Sequence, residues 1–125
     1  MDENAIADLV IGAAIEVHRA LGPGLLESAY QRCLAHEFSL RGIRFQQEVA
    51  IDLNYKGLAV ETAYRADFIV ADHVVLELKA MDRIEPVHRA QVLTYLKWSE
   101  KRLGLLLNFN AALLKAGIHR VVNGL

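Results

Sequence analysis

Tyr64–Ala80 reads YRADFIVADHVVLELKA, two apolar runs interrupted by charge. Phe68, Ile69 and Val70 form one apolar run, and Val74, Val75, Leu76 and Leu78 form another. Ala71-Asp72-His73 between them carries turn chemistry, so the stretch predicts two strands and a tight turn. Three charged residues break the apolar pattern: Asp67, Glu77 and Lys79. Glu77 and Lys79 are two apart, so a strand projects both from one face, roughly 7 Å apart. If the two strands pair, Asp67 comes to lie opposite them. Two carboxylates and an ammonium on one sheet face are costly to bury unless they serve each other or a bound ion. That cost points to chemistry here; the plain alternative is a cross-strand ion network.

Working outward, the residues on either side predict the remaining elements. On the N-terminal side, Ile43 to Tyr55 alternates, with Ile43, Phe45, Gln47, Val49, Ile51, Leu53 and Tyr55 on one face. That is a half-exposed strand, and Lys56-Gly57 turns it into the strand over 58–70. A three-stranded antiparallel meander results. Further back, Ile6, Leu9, Val10, Ala13, Val17 and Leu21 recur at helical spacing, predicting a helix over 4–21 with Asn4 as N-cap. Gly22-Pro23-Gly24 stops it. A second helix is expected from Leu25 to Arg41, with Leu26, Tyr30, Cys33 and Leu34 buried and Gly42 just past its end. On the C-terminal side, Pro86 fits the first turn of a helix to Ser99, with Val92, Leu93 and Leu96 inward. His88, Gln91 and Tyr95 form a separate stripe on that helix. Arg102–Phe109 is a continuous apolar strand of the kind buried on both faces. Residues 110–117 read as a short turn, and Ile118–Val122 as a last strand. The order is ααβββαββ, an α/β (α+β) chain with a central mixed sheet flanked by helices.

Composition bounds the function classes. At 125 residues the size prior is a single domain over 1–125. The chain is 54% hydrophobic and 23% charged, as globular proteins are. A formal net charge of -1 supplies no global basic field, so an anionic partner must be held locally or through metal ions. One cysteine, Cys33, excludes an internal disulfide. The acidic start Met1-Asp2-Glu3 is unlike an export signal, and no apolar run approaches the ~20 residues of a membrane span. The expectation is a cytoplasmic protein with no membrane partner. There is no Gly-rich phosphate loop and no C-x-x-C pair.

Asp67 followed by Glu77-Leu78-Lys79 resembles the D…(D/E)-x-K signature of the PD-(D/E)XK nuclease superfamily. The tripeptide alone is common, and three further features add specificity. Glu77 and Lys79 end an apolar strand. Gln91-Val92-Leu93-Thr94-Tyr95 is similar to the Q-x-x-x-Y motif of RecB-like nucleases. Gly24 to Tyr30, GLLESAY, is similar to the G-x-x-E-x-x-Y of the GxxExxY family of small proteins in that superfamily. Ala66 stands where the superfamily's name has proline. The resemblance implies a restriction-endonuclease-like core, Mg²⁺ or Mn²⁺ as cofactor, and a nucleic-acid substrate, DNA before RNA.

Residue type supports roles for the matched positions. Asp67 and Glu77 are hard oxygen ligands suited to Mg²⁺ or Mn²⁺, and the Leu78 carbonyl offers a further oxygen. Glu27 completes the ligand set by resemblance; by residue type alone it is equally a carboxylate favoured in a first helical turn. Lys79 is placed to orient a water or stabilise phosphate charge. Gln91 and Tyr95, one turn apart, would position the lysine or a phosphate oxygen. The catalytic set is therefore Glu27, Asp67, Glu77, Lys79, Gln91 and Tyr95, and the reading is a metal-dependent nuclease. The alternative is a non-catalytic binding or assembly module, working as an oligomer such as a homodimer or beside a larger partner. Strand 118–122 is then the edge open for pairing. His88 reads as a solvated residue and Cys33 as a small core residue. His18, before the Gly-Pro-Gly turn, is a candidate to approach Glu27.

Overall fold

The computed structural model describes residues 1–125. Helices α1 (Glu3–Leu21) and α2 (Glu27–Leu40) precede strands β1 (Phe45–Tyr55), β2 (Leu58–Val70) and β3 (Val74–Lys79). Helix α3 (Pro86–Ser99), strand β4 (Leu103–Asn108), a 3-10 turn (Leu114–Gly117) and strand β5 (Ile118–Val122) follow. The five strands lie side by side in chain order. All neighbours are antiparallel except β3 and β4, which α3 joins as a parallel pair. This is the expected element order.

Both hairpin turns follow from their residues. Lys56 and Gly57 take φ of 50° and 92°, and Ala71 and Asp72 take 50° and 63°. Positive φ at both central positions matches the right-handed twist of the flanking strands. Helix α3 starts on Pro86, with the Glu85 N–H donating to His88 Nδ1 at 2.9 Å. His88 remains partly exposed and also serves as a capping residue. Helix α1 is capped by Asp2, whose Oδ1 accepts from the Ala5 N–H at 2.8 Å. Asn4, the expected cap, accepts instead from Arg120 on β5.

Two apolar layers sandwich the sheet. Ile6, Val10, Val17, Tyr30, Leu34 and Phe38 of α1 and α2 pack with Phe68, Leu76, Leu105 and their neighbours. Val92, Tyr95 and Leu96 of α3 pack on the other face with Ala66, Ile69, Val75 and Leu106. Strand β4 is buried throughout, as its unbroken apolar run predicts. Gly104 on it admits α3: a Cβ there would sit 2.5 Å from Val92 Cγ1. Leu9, Leu21, Leu26 and Cys33 are exposed, against expectation. Leu26 precedes the first turn of α2, and the buried stripe runs Tyr30, Leu34, Phe38 instead.

The predicted single face of residues 43–55 is also corrected. Ile43 and Phe45 join the α1/α2 layer, whereas Val49 and Ile51 join the α3 layer. On β2, Phe68 faces the first layer and Ala66 the second. The ribbon thus turns over between these positions. Glu48 is in the left-handed region (φ 53°), Glu48 and Asp67 are skipped in the pairing, and the register shifts again between Ile51 and Leu53. An irregularity of this kind re-aims side chains. The outer edge of β5, predicted open, is partly covered: Arg89 Nη2 donates to the Arg120 carbonyl at 3.2 Å.

Candidate active site

Strands β2 and β3 pair only over three positions, Phe68 with Leu76, Ile69 with Val75 and Val70 with Val74. Continued one step, the register sets Asp67 opposite Glu77, and there the backbone ladder stops. Side chains replace it. The Asp67 N–H donates to Glu77 Oε1 at 3.0 Å, and the Leu78 N–H donates to Asp67 Oδ2 at 2.8 Å. Each carboxylate caps an amide of the opposite strand, so both are fixed at a fork in the sheet. Beyond the fork β3 continues to pair with β4, up to Lys79 opposite Asn108.

This arrangement is electrostatically strained. Glu77 is 4% exposed. Burial, then the charge of Asp67, push its carboxyl up to about 8, against the opposing effects of the Asp67 N–H and Lys79. Burial pushes Asp67 up to about 6, with Glu27 and Glu48 adding to the rise and the Leu78 N–H and Lys79 opposing it. Burial and then Glu77 likewise raise the Tyr64 phenol. Lys79 forms no ion pair with either acid, which removes the cross-strand ion network as an explanation. No buried side-chain polar atom lacks a partner, so Asp67 Oδ1 and Lys79 Nζ, which accept and donate nothing, reach solvent.

Raised, adjacent carboxylates, one of them (Asp67) with an oxygen open to solvent, are a donor set that suits a hard divalent cation, which would relieve their repulsion. Such ions bind through one or two carboxylates and keep several waters. No three acidic, imidazole or thiol groups converge tightly enough to form a protein-only shell. Glu27 therefore does not close a three-acid set with Asp67 and Glu77 here, although its charge acts on both. It stands exposed at the first residue of α2.

Tyr30 fixes that start. Its buried hydroxyl donates to the Gly22 carbonyl at 2.5 Å and accepts from the Leu25 N–H at 3.1 Å. In the stretch GLLESAY the tyrosine thus anchors the loop that delivers the glutamate. His18, thought a neighbour of Glu27, instead contacts the Ala111 carbonyl through Nε2 at 2.8 Å.

Gln91 and Tyr95 do not act as a pair here. The Tyr95 hydroxyl donates to the Val49 carbonyl at 2.9 Å, tying α3 to β1, while Gln91 is exposed. Three residues near the site escaped the sequence reading. Tyr64 lies with its hydroxyl 3.5 Å from Glu77 Oε2. Glu48 accepts from Gln31 Nε2 at 2.7 Å. Asn108 is buried and brackets Met81, accepting from its N–H at 3.2 Å and donating to its carbonyl at 2.9 Å, which holds the chain just after Lys79. Only Asn108 left a signal, a polar residue closing an apolar strand.

No detected concavity includes Asp67 or Glu77; the largest, about 490 Å³, lies between α1 and α2 around Val17, Ala29 and Cys33. The fork is the candidate site because the strained charges are there.

Comparison with known proteins bears on the fold and the family. The crystal structure of SSO0001 aligns with 96% of this chain at a TM-score of 0.50 and 21% identity, a likeness of fold. The chain spans 66% of that protein's length. No curated protein matches. The family model described as PD-(D/E)XK nuclease superfamily matches residues 4–121, and the chain belongs to that superfamily.

Proposed function

We propose that the chain is a metal-dependent nuclease of the GxxExxY type, one domain over residues 1–125, that hydrolyses nucleic-acid phosphodiesters in the cytoplasm. The observation that carries this reading is the interlocked pair of half-buried Asp67 and buried Glu77, both raised and neither in an ion pair. Asp67, Glu77 and the Leu78 carbonyl would hold Mg²⁺ or Mn²⁺, with Glu27 reached through water. When bound, such an ion neutralises the carboxylates and acidifies a coordinated water. Lys79, with a free ammonium, stabilises charge on the phosphate. Gln91 projects from α3 toward solvent, where a phosphate oxygen can meet it. DNA is the expected substrate before RNA. The test is incubation of the full chain with single- and double-stranded DNA and RNA plus Mg²⁺ or Mn²⁺. Metal-dependent cleavage, lost in Glu77→Ala and Lys79→Ala, is expected. No cleavage with any combination sinks the reading.

A second reading is a non-catalytic module on the same scaffold, acting as a homodimer or with a larger partner. The lack of three convergent acids favours it. Calorimetry separates the two. Divalent binding that disappears in Asp67→Asn supports the nuclease, and a dimer without metal affinity supports the module.

A further inference from the structure

We infer that Tyr64 is a positioning residue that aims the free oxygen of Glu77 at the bound divalent ion. This inference rests on the metal-dependent reading above. Glu77 Oε1 is committed to the Asp67 N–H at 3.0 Å. Oε2 is the oxygen without a backbone partner, and the side-chain group hydrogen-bonded to it is the Tyr64 hydroxyl, at 3.5 Å. That distance is at the outer limit of a hydrogen bond, the looseness expected where catalytic contacts tighten only on loading.

The phenol is held from behind. Its ring meets the Tyr95 ring edge-on, with centroids 6.0 Å apart and planes at 69°. Tyr95 is in turn fixed by its hydroxyl on the Val49 carbonyl. Tyr64 itself sits opposite Ile51 in the β1–β2 ladder. Backbone register and aromatic packing thus leave the hydroxyl little room to swing away. A protonated phenol is a donor, so it steadies a carboxylate oxygen without adding charge. The helix tyrosine of the Q-x-x-x-Y stretch then acts at one remove, by propping Tyr64. The plain alternative is that Tyr64 only packs, its hydroxyl being incidental.

Outer-shell partners of metal ligands typically contribute 10–100-fold in affinity. The test titrates Mn²⁺ into the full chain and into Tyr64→Phe, which keeps the ring and its packing. The expected result is roughly tenfold weaker Mn²⁺ binding in Tyr64→Phe with thermal unfolding nearly unchanged. Cleavage by the variant should need correspondingly more Mn²⁺ for half-maximal rate while approaching the parent rate at saturation. Equal Mn²⁺ affinity in the two proteins overturns the inference and leaves the metal-dependent reading standing. If the parent chain binds no Mn²⁺, the metal-dependent reading falls, and the inference falls with it. Should Tyr64→Phe unfold early, Tyr64→Trp, which offers a ring N–H, must bind Mn²⁺ more tightly than Tyr64→Leu; equal affinity overturns the inference.

Discussion

Asp67 and Glu77 face each other where the β2–β3 ladder has ended, and the Asp67 N–H bonds to a Glu77 carboxylate oxygen at 3.0 Å. The contact makes a buried carboxylate part of the sheet's own hydrogen bonding. Removing the acid and removing its charge are therefore different experiments.

Stability should depend on pH through this pair. Glu77 is raised from 4.5 to about 8 and Asp67 from 3.8 to about 6. A carboxyl raised on folding binds more protons folded than unfolded, so stability falls as pH rises through that window. The contribution is complete below about pH 4 and lost above about pH 8. Without divalent ions, the melting temperature should drop between pH 5.5 and pH 8.5. A change of about 1 kcal/mol moves a domain of this size by roughly 4 °C. Glu77→Gln should flatten the drop, because the amide oxygen still accepts from Asp67. Parallel melting curves for the two proteins across that range would remove the assignment.

Tyr30→Phe tests the anchor of the loop before α2. It deletes a buried hydroxyl bonded to both the Gly22 carbonyl and the Leu25 N–H. A loss of about 1–2 kcal/mol is expected by urea denaturation. Amide exchange should quicken at Gly24–Ser28. A variant as stable as the parent, with unchanged exchange there, would show that the loop is held by other means.

Gly104→Ala tests the approach of α3 to β4. The added Cβ would lie 2.5 Å from Val92 Cγ1. Overpacking of this kind costs about 1–3 kcal/mol. Val92→Ala in the same chain should recover part of the loss, so the two changes should be non-additive. Additive losses would mean that the clash is relieved elsewhere.

Tyr95→Phe should loosen the β1–β2 ribbon without unfolding α3. The hydroxyl is the link from α3 to the Val49 carbonyl, next to the skipped pair Glu48 and Asp67. Faster amide exchange is expected over 49–54, with a stability loss of about 1 kcal/mol. Exchange unchanged in that segment would assign the ribbon's order to backbone pairing alone.

Local patterns made most of this molecule legible. The alternation in Ile43–Tyr55, the unbroken run in β4 and the turn residues at Lys56-Gly57 each report a backbone environment directly. The charges Asp67, Glu77 and Lys79 stood out because burying them is costly. What failed to show was non-local. The ribbon turns over at Glu48 and Asp67, so the alternation reads as one face although it serves two. Tyr64 reached the site only because that turnover and the Tyr95 ring put it there. Asp2 caps α1 ahead of Asn4, whose side chain instead meets Arg120, 116 residues away. Cys33 is on the open side of α2 because the buried stripe follows Tyr30, Leu34 and Phe38.

The parallel pairing of β3 with β4 has a consequence for synthesis. A nascent polypeptide released only as far as Ser99 carries both acids but leaves β3 with one flank bare. Its apolar edge, Val74 to Leu78, has no neighbour until residues 103–108 emerge. Glu77 gains its dry surroundings only when that late segment docks, so its carboxyl comes to hold its proton unusually well only at the end of chain growth.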